Sequence, residues 1–223
     1  MKVKICGIKT YDEAMAAIEA GADYLGFNFY QSSPRYIRPA ECLGLMVKLQ
    51  LALQNYSQHV HIVGVFVNSS PADVRTIRDD CNLDLVQLSG DEPPELTAEY
   101  GPRAFKALRP TSAEDLAEAM RIYPQRSGAP AWLIDAYRLG EYGGTGQQAD
   151  WSLARQAAAA APIFLAGGLN PDNVAGAIRQ VLPWGVDAAS GVEQQPGVKD
   201  TQKMIAFIRA AKTALPVAGE ENA

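Results

Sequence analysis

The chain reads as an α/β protein, a single eight-stranded parallel (β/α)8 TIM barrel, and three observations carry that reading. Short β-branched or aromatic runs alternate throughout with stretches of helical spacing, eight of each. At about 28 residues per unit, this suits parallel strands joined by right-handed helical crossovers. No linker or shift of composition divides the 223 residues, and barrels of this type start at about 200 residues. The competitor is a doubly wound open sheet, because periodicity does not show closure.

The expected strands are 3–8, 24–29, 62–67, 84–88, 104–108, 132–135, 163–166 and 186–189. Helical stretches follow at 11–20, 39–51, 71–80, 94–100, 112–122, 151–160, 171–181 and 200–213. Thr10, Ser70, Thr111 and Asn170 stand where side-chain caps are wanted, and Pro71 and Pro171 occupy first-turn positions. Residues 1–214 are expected to form one catalytic barrel. The tail 215–223, with Pro216, Gly219 and Glu220-Glu221-Asn222, is expected to fray.

Apolar residues make up 48% and charged residues 20%, which excludes a disordered chain. Twenty Lys and Arg against 25 Asp and Glu leave a net charge of −5. That balance argues against nucleic acid or an anionic membrane as partner, since phosphate backbones demand clustered cations. Cys6, Cys42 and Cys81 are too sparse for a disulfide framework or a zinc site and suit a reducing compartment. Lys4 and Lys9 interrupt the amino-terminal run, so no signal peptide is expected, and no apolar stretch is long enough for a membrane helix. The expectation is a cytoplasmic protein. With no apolar stripe left over, a monomer is expected.

In a barrel, chemistry belongs to the C-terminal ends of the strands and the loops after them. Cys6 closes the first strand. It reads either as a general base or nucleophile, or as a small buried hydrophobe. Cys42 and Cys81 fall in helical stretches and read as packing. Asp135 ends Trp132-Leu133-Ile134. A carboxylate there is costly unless it faces the barrel mouth or finds a partner, so it reads as a general acid, or as a cap or ion-pair partner of Arg138. Asp187, earlier in the eighth strand, reads as a polar-layer residue or a secondary substrate contact.

Glycines cluster on that same rim: Gly143-Gly144-Thr145-Gly146 after strand six, Gly167-Gly168 after strand seven, and Ser190-Gly191 after strand eight. Glycine lets successive backbone N–H groups approach one anion, and the last two loops of a barrel frequently hold phosphate. No nucleotide or dinucleotide fingerprint is present. Arg35, after strand two, reads as a carboxylate clamp or as a solvated loop residue. His59 and His61 precede strand three on the opposite rim and are too few for a metal; no metal site is expected.

Together these segments form a pattern. Val3-Lys4-Ile5-Cys6-Gly7-Ile8, Gly26-Phe27-Asn28-Phe29-Tyr30, Ser33-Pro34-Arg35-Tyr36-Ile37 and Gly64-Val65-Phe66-Val67-Asn68 begin it. Val86-Gln87-Leu88, Leu133-Ile134-Asp135, Gly143-Gly144-Thr145-Gly146, Asp150-Trp151 and Ala166-Gly167-Gly168-Leu169-Asn170-Pro171 continue it. Val186-Asp187, Ser190-Gly191-Val192-Glu193 and Pro196-Gly197-Val198-Lys199-Asp200 complete it. In this order, over nearly the whole chain, they resemble the phosphoribosylanthranilate isomerases.

The resemblance implies an Amadori rearrangement in tryptophan biosynthesis, converting N-(5′-phosphoribosyl)anthranilate to 1-(2-carboxyphenylamino)-1-deoxyribulose 5-phosphate, without cofactor or redox change. It also implies roles. Asp135 would protonate the ribose ring oxygen, and Cys6, as thiolate, would take the C2′ proton. Arg35 would hold the anthranilate carboxylate, and the glycine loops would hold the 5′-phosphate of the small-molecule substrate. The chain departs from the family pattern at Ser89, where His is usual, and at Gln147 and Ala149, where Lys and Phe are usual. Two other functions compete: a phosphosugar lyase using Lys106, read as the only lysine well inside a strand, as Schiff base, and a non-catalytic phosphosugar-binding barrel.

Overall fold

The computed structural model describes residues 1–54, 56, 59–135 and 151–215. Eight parallel strands close into a barrel: β1 (Lys2–Cys6), β2 (Tyr24–Asn28), β3 (His61–Phe66), β4 (Leu85–Leu88), β5 (Ala104–Leu108), β6 (Trp132–Asp135), β7 (Ile163–Ala166) and β8 (Gly185–Ala188). Eight helices alternate with them: α1 (Tyr11–Glu19), α2 (Pro39–Leu53), α3 (Pro71–Asp80), α4 (Pro94–Tyr100), α5 (Ala113–Ile122), α6 (Ser152–Ala160), α7 (Val174–Val181) and α8 (Thr201–Lys212). Closure is made by β8 on β1, where Lys4 stands opposite Asp187. The open-sheet alternative is therefore excluded.

Local chemistry explains most boundaries. Thr10 and Glu13 form a reciprocal capping box at α1, each side chain taking the other's backbone N–H. Ser70 caps α3, with Pro71 in its first turn. Two expected starts shift. Ser112, not Thr111, caps α5 by accepting from Asp115 N, while Thr111 turns its own N–H and hydroxyl to Asp115. The helix expected from 171 begins at Val174, because the Asn170 side chain accepts from the backbone of Asp172 and Asn173 and holds a separate turn first. A short hairpin, β9 (Glu193–Gln195) and β10 (Val198–Lys199), lies between β8 and α8 and was not expected.

Side chains alternate across every strand. One set faces the helices, with Val3, Ile5, Phe27, Phe66, Trp132 and Leu165 in a continuous buried layer. The other fills the barrel: Tyr24, Phe105 and Phe164 pack there with Trp184, Tyr24 and Phe164 meeting edge-on at 5.2 Å. These aromatics plug the N-terminal end, each fully buried ring contributing roughly 1.5–3 kcal/mol, so the open space lies at the other rim.

Two expectations about the outside fail. Lys106 is buried on the outer face of β5, between inward Phe105 and Ala107. Helix α2 leaves Leu43, Val47 and Leu51 exposed at four-residue intervals, one stripe on the helix. The premise of the monomer expectation thus does not hold. No helix among the described residues is long and apolar enough to cross a membrane.

Candidate active site

A cavity of about 830 Å³ opens at the C-terminal rim, within the usual range for a small-molecule site. Cys6 ends β1 and Asp135 ends β6, and both line it. Going round the barrel by the short way, β7 and β8 separate them, so they approach one ligand from different sides. Val65, Ala107 and Leu133 supply an apolar floor.

Cys6 is buried above a charged layer. Burial pushes its thiol above the ordinary value; Lys4 and Lys199 pull it down and Asp187 pushes it up. The Lys4 ammonium lies 2.9 Å from Asp187 Oδ1, completely buried. Burial lowers the Lys4 pKa, but Asp187 and Cys6 outweigh it and hold the ammonium above its ordinary value. Asp187 is thus both of the things expected of it, a polar-layer residue and part of the cavity wall.

Asp135 is a quarter exposed, and Arg109 Nε reaches its Oδ2 at 3.4 Å. Arg109 also donates to Ser89 O at 3.0 Å and lines the cavity. This arginine follows β5 and sequence reading missed it. Arg138, the partner expected for Asp135, lies outside the described residues, as do Gly143, Gly144, Thr145, Gly146, Gln147 and Ala149.

Arg35 lines the cavity and is only partly exposed. Its Nε and Nη2 donate to the two carboxylate oxygens of Glu193 at 2.7 and 2.8 Å. Gly7, at φ +83°, makes this possible, since a Cβ there would meet Arg35 Cδ at 2.8 Å. Glu193 also accepts from the buried Lys199 ammonium at 2.9 Å. Burial opposes its charge, yet the hydrogen bonds from Arg35 and Lys199 prevail and hold its carboxyl below the ordinary glutamate value. One side edge of the guanidinium is thereby occupied, and the Nη1–Nη2 end remains as the fork that can meet a ligand carboxylate.

Gly167 and Gly168, at φ +99° and +66°, carry the backbone along the cavity wall beside Asn170 and Ser190. Gly191 is not a wall residue. It sits against Leu169, whose carbonyl oxygen would be 1.9 Å from a Cβ, and so locks the β8 loop to the β7 loop. Ser89 lines the cavity and accepts from Gln87 Nε2 at 3.0 Å, while the buried Gln87 Oε1 has no partner among the described residues.

Lys106, expected as an alternative Schiff-base lysine, does not line the cavity. Its ammonium is held by Glu92 at 2.7 Å and by the Gly90 carbonyl. At the opposite rim His59, His61 and Asp84 offer ligand atoms within 4.8 Å of one another. Asp84 comes from outside the His pair and sequence reading did not join it to them. Burial and His59 hold His61 below the ordinary imidazole value, with Asp84 opposing them and the more weakly acting Lys2 and Arg126 adding to them.

Known proteins share this sequence pattern and this fold. Residues 3–210 match the model of the family described as N-(5'phosphoribosyl)anthranilate (PRA) isomerase. The chain is 47% identical to N-(5'-phosphoribosyl)anthranilate isomerase of Trichlorobacter lovleyi, covering 96% of this chain and 100% of the relative. It is 45% identical to that of Myxococcus xanthus, covering 96% and 97%. Phosphoribosyl anthranilate isomerase from Thermotoga maritima superposes with a TM-score of 0.81 at 37% identity, covering 96% of this chain and 99% of that one. Another solved phosphoribosyl anthranilate isomerase, in complex with reduced 1-(o-carboxyphenylamino)-1-deoxyribulose 5-phosphate, superposes at 0.78 with 35% identity, covering 96% and 99%. The chain belongs to the N-(5'-phosphoribosyl)anthranilate isomerase family.

Proposed function

We propose that this protein isomerises N-(5′-phosphoribosyl)anthranilate in tryptophan biosynthesis, with Asp135 as general acid and Cys6 as general base. The observation that carries this reading is the shared cavity: thiol and carboxyl end two separated strands and line one space. The relative solved with reduced 1-(o-carboxyphenylamino)-1-deoxyribulose 5-phosphate supports a phosphosugar ligand of that size.

The chemistry follows from charge. Asp135 gives its proton to the furanose oxygen, the C1′–O bond breaks, and the anilino nitrogen donates its pair to form an iminium at C1′. The iminium makes the C2′ proton acidic. The Cys6 thiolate removes it, the C–H electrons become the C1′–C2′ double bond, and the displaced π pair returns to nitrogen. The resulting enolamine tautomerises to the ketone. Only protons move, and acid and base act at different atoms of one sugar.

Arg35 offers its free guanidinium end to the anthranilate carboxylate. The backbone at Gly167, Gly168 and Ser190 faces the 5′-phosphate, with Gly191 holding the two loops together; Gly143 to Gly146 are assigned to the same task by resemblance. Three buried free cysteines suit the cytoplasm, where thiols stay reduced.

The test is a fluorescence assay of purified protein with freshly prepared substrate. Loss of the anthranilate-ribose signal, beyond spontaneous decay, is expected. A folded protein that binds the substrate without turning it over would instead favour the non-catalytic reading.

A further inference from the structure

The buried lysine beneath the thiol has more to do than fill the barrel. Lys4 and Cys6 point inward two residues apart on β1; Lys4 donates to Asp187 at 2.9 Å, and its charge lowers the Cys6 thiol pKa. Opposite them on β2 stands Gly26, paired in register with Cys6. A Cβ at Gly26 would fall 3.0 Å from Cys6 Sγ and 3.1 Å from Lys4 Nζ. The space that a side chain would occupy is bordered by both the thiol and the ammonium.

The charge count points the same way. The charges that act on the sulfur are two cations, Lys4 and Lys199, and one carboxylate, Asp187. Across the cavity Asp135 is matched by Arg109. Lys4 and Lys199 favour the thiolate, and Asp187 opposes it. A buried ion pair kept for stability alone is replaceable by apolar residues; here the buried ammonium of the pair stands on the same strand face as the thiol and favours its anion.

We propose that Lys4 is a positioning residue for the reaction, the buried cation that stabilises Cys6 as its anion. This rests on Cys6 being the base, and it extends that reading to the residue that makes the base available. Lys4 stays protonated throughout: the proton taken from C2′ resides on sulfur and leaves to solvent before the next turnover.

The test reads the thiol directly. Ultraviolet absorbance of the thiolate is followed against pH, subtracting the Cys6→Ser protein so that only Cys6 is seen. Lys4→Met combined with Asp187→Asn removes the pair together, leaving no unmatched buried charge. Its Cys6 midpoint is expected to rise by about one pH unit or more, a tenfold loss of thiolate, with kcat falling in step, KM little changed, and turnover recovering as pH is raised. Asp187→Asn alone removes an anion and is expected to lower the midpoint. Gly26→Ala removes no charge but drives Sγ and Nζ apart, so it must also raise it, which keeps the test open if the double variant does not fold. An unmoved or lowered midpoint in the double variant, or in Gly26→Ala, overturns the proposal. Full turnover by Cys6→Ser would overturn the base reading instead, and leave the titration result standing.

Discussion

Replacing Glu193 by Gln keeps its shape and removes its charge. The native carboxylate, almost fully buried, accepts three charge-assisted hydrogen bonds, from Arg35 Nε at 2.7 Å, Arg35 Nη2 at 2.8 Å and Lys199 Nζ at 2.9 Å. Breaking a buried ion pair from one side costs about 3–5 kcal/mol, since the remaining charges are left uncompensated. Glutamine keeps one acceptor, and Arg35 is 22% exposed and recovers some hydration, so about 3 kcal/mol is expected. For a chain of this size that lowers the melting temperature by roughly 6–12 °C. The pH dependence has a fixed sign. Glu193 titrates below the ordinary glutamate value in the fold, so its contribution is complete above that value and fades as pH falls through it. Calorimetric melts of both proteins should therefore differ most near neutrality and converge in acid. Kinetically, Arg35 loses the partner that aims its free end, and KM should rise more than kcat falls. A melting temperature within about 1 °C of the parent at neutral pH would refute the reasoning.

Four further outcomes follow. Cys6→Ser and Asp135→Asn should each lower kcat by several orders of magnitude while substrate still binds, and near-full turnover in either removes that residue's role. Arg35→Met should raise KM by about tenfold or more, since a lost charged hydrogen bond costs about 1.5–3 kcal/mol; an unchanged KM rejects the clamp. Because burial raises the Cys6 thiol, kcat/KM should climb with pH as the thiol ionises, and a kcat/KM that does not rise through the thiol range contradicts the assignment. Asp23 is buried, which disfavours its charge, but Lys212, Lys2 and the Val3 N–H hold its carboxyl below the ordinary value. It ties α8 to β1, so Asp23→Asn should melt lower at neutral pH, with the gap closing as pH falls below the usual aspartate range.

The barrel was legible because parallel strands buried on both faces, such as Ile163–Ala166, stand out against capped amphipathic helices. Cys6 and Asp135 were legible because strand ends and barrel polarity are local facts. What escaped was the chemistry made by closure. Lys4 lies inside the expected first strand, and period-two alternation sets it on the face of Cys6, but its partner Asp187 becomes adjacent only when β8 returns to β1. Glu193 and Lys199 carry no local sign of their roles, because only the β9–β10 hairpin brings them together beside Arg35. Lys106 misled for the converse reason: its strand position was right and its face was wrong.

In the proposed mechanism Cys6 and Asp135 address one sugar from two sides. A crystal structure of this protein with reduced 1-(o-carboxyphenylamino)-1-deoxyribulose 5-phosphate tests it most directly. The expected result places Cys6 Sγ about 3–3.5 Å from C2′ and a carboxyl oxygen of Asp135 about 2.6–3.2 Å from O4′, the former ring oxygen. A ligand lying with both groups on one side of the carbon chain, or with C2′ out of reach of the sulfur, would contradict it.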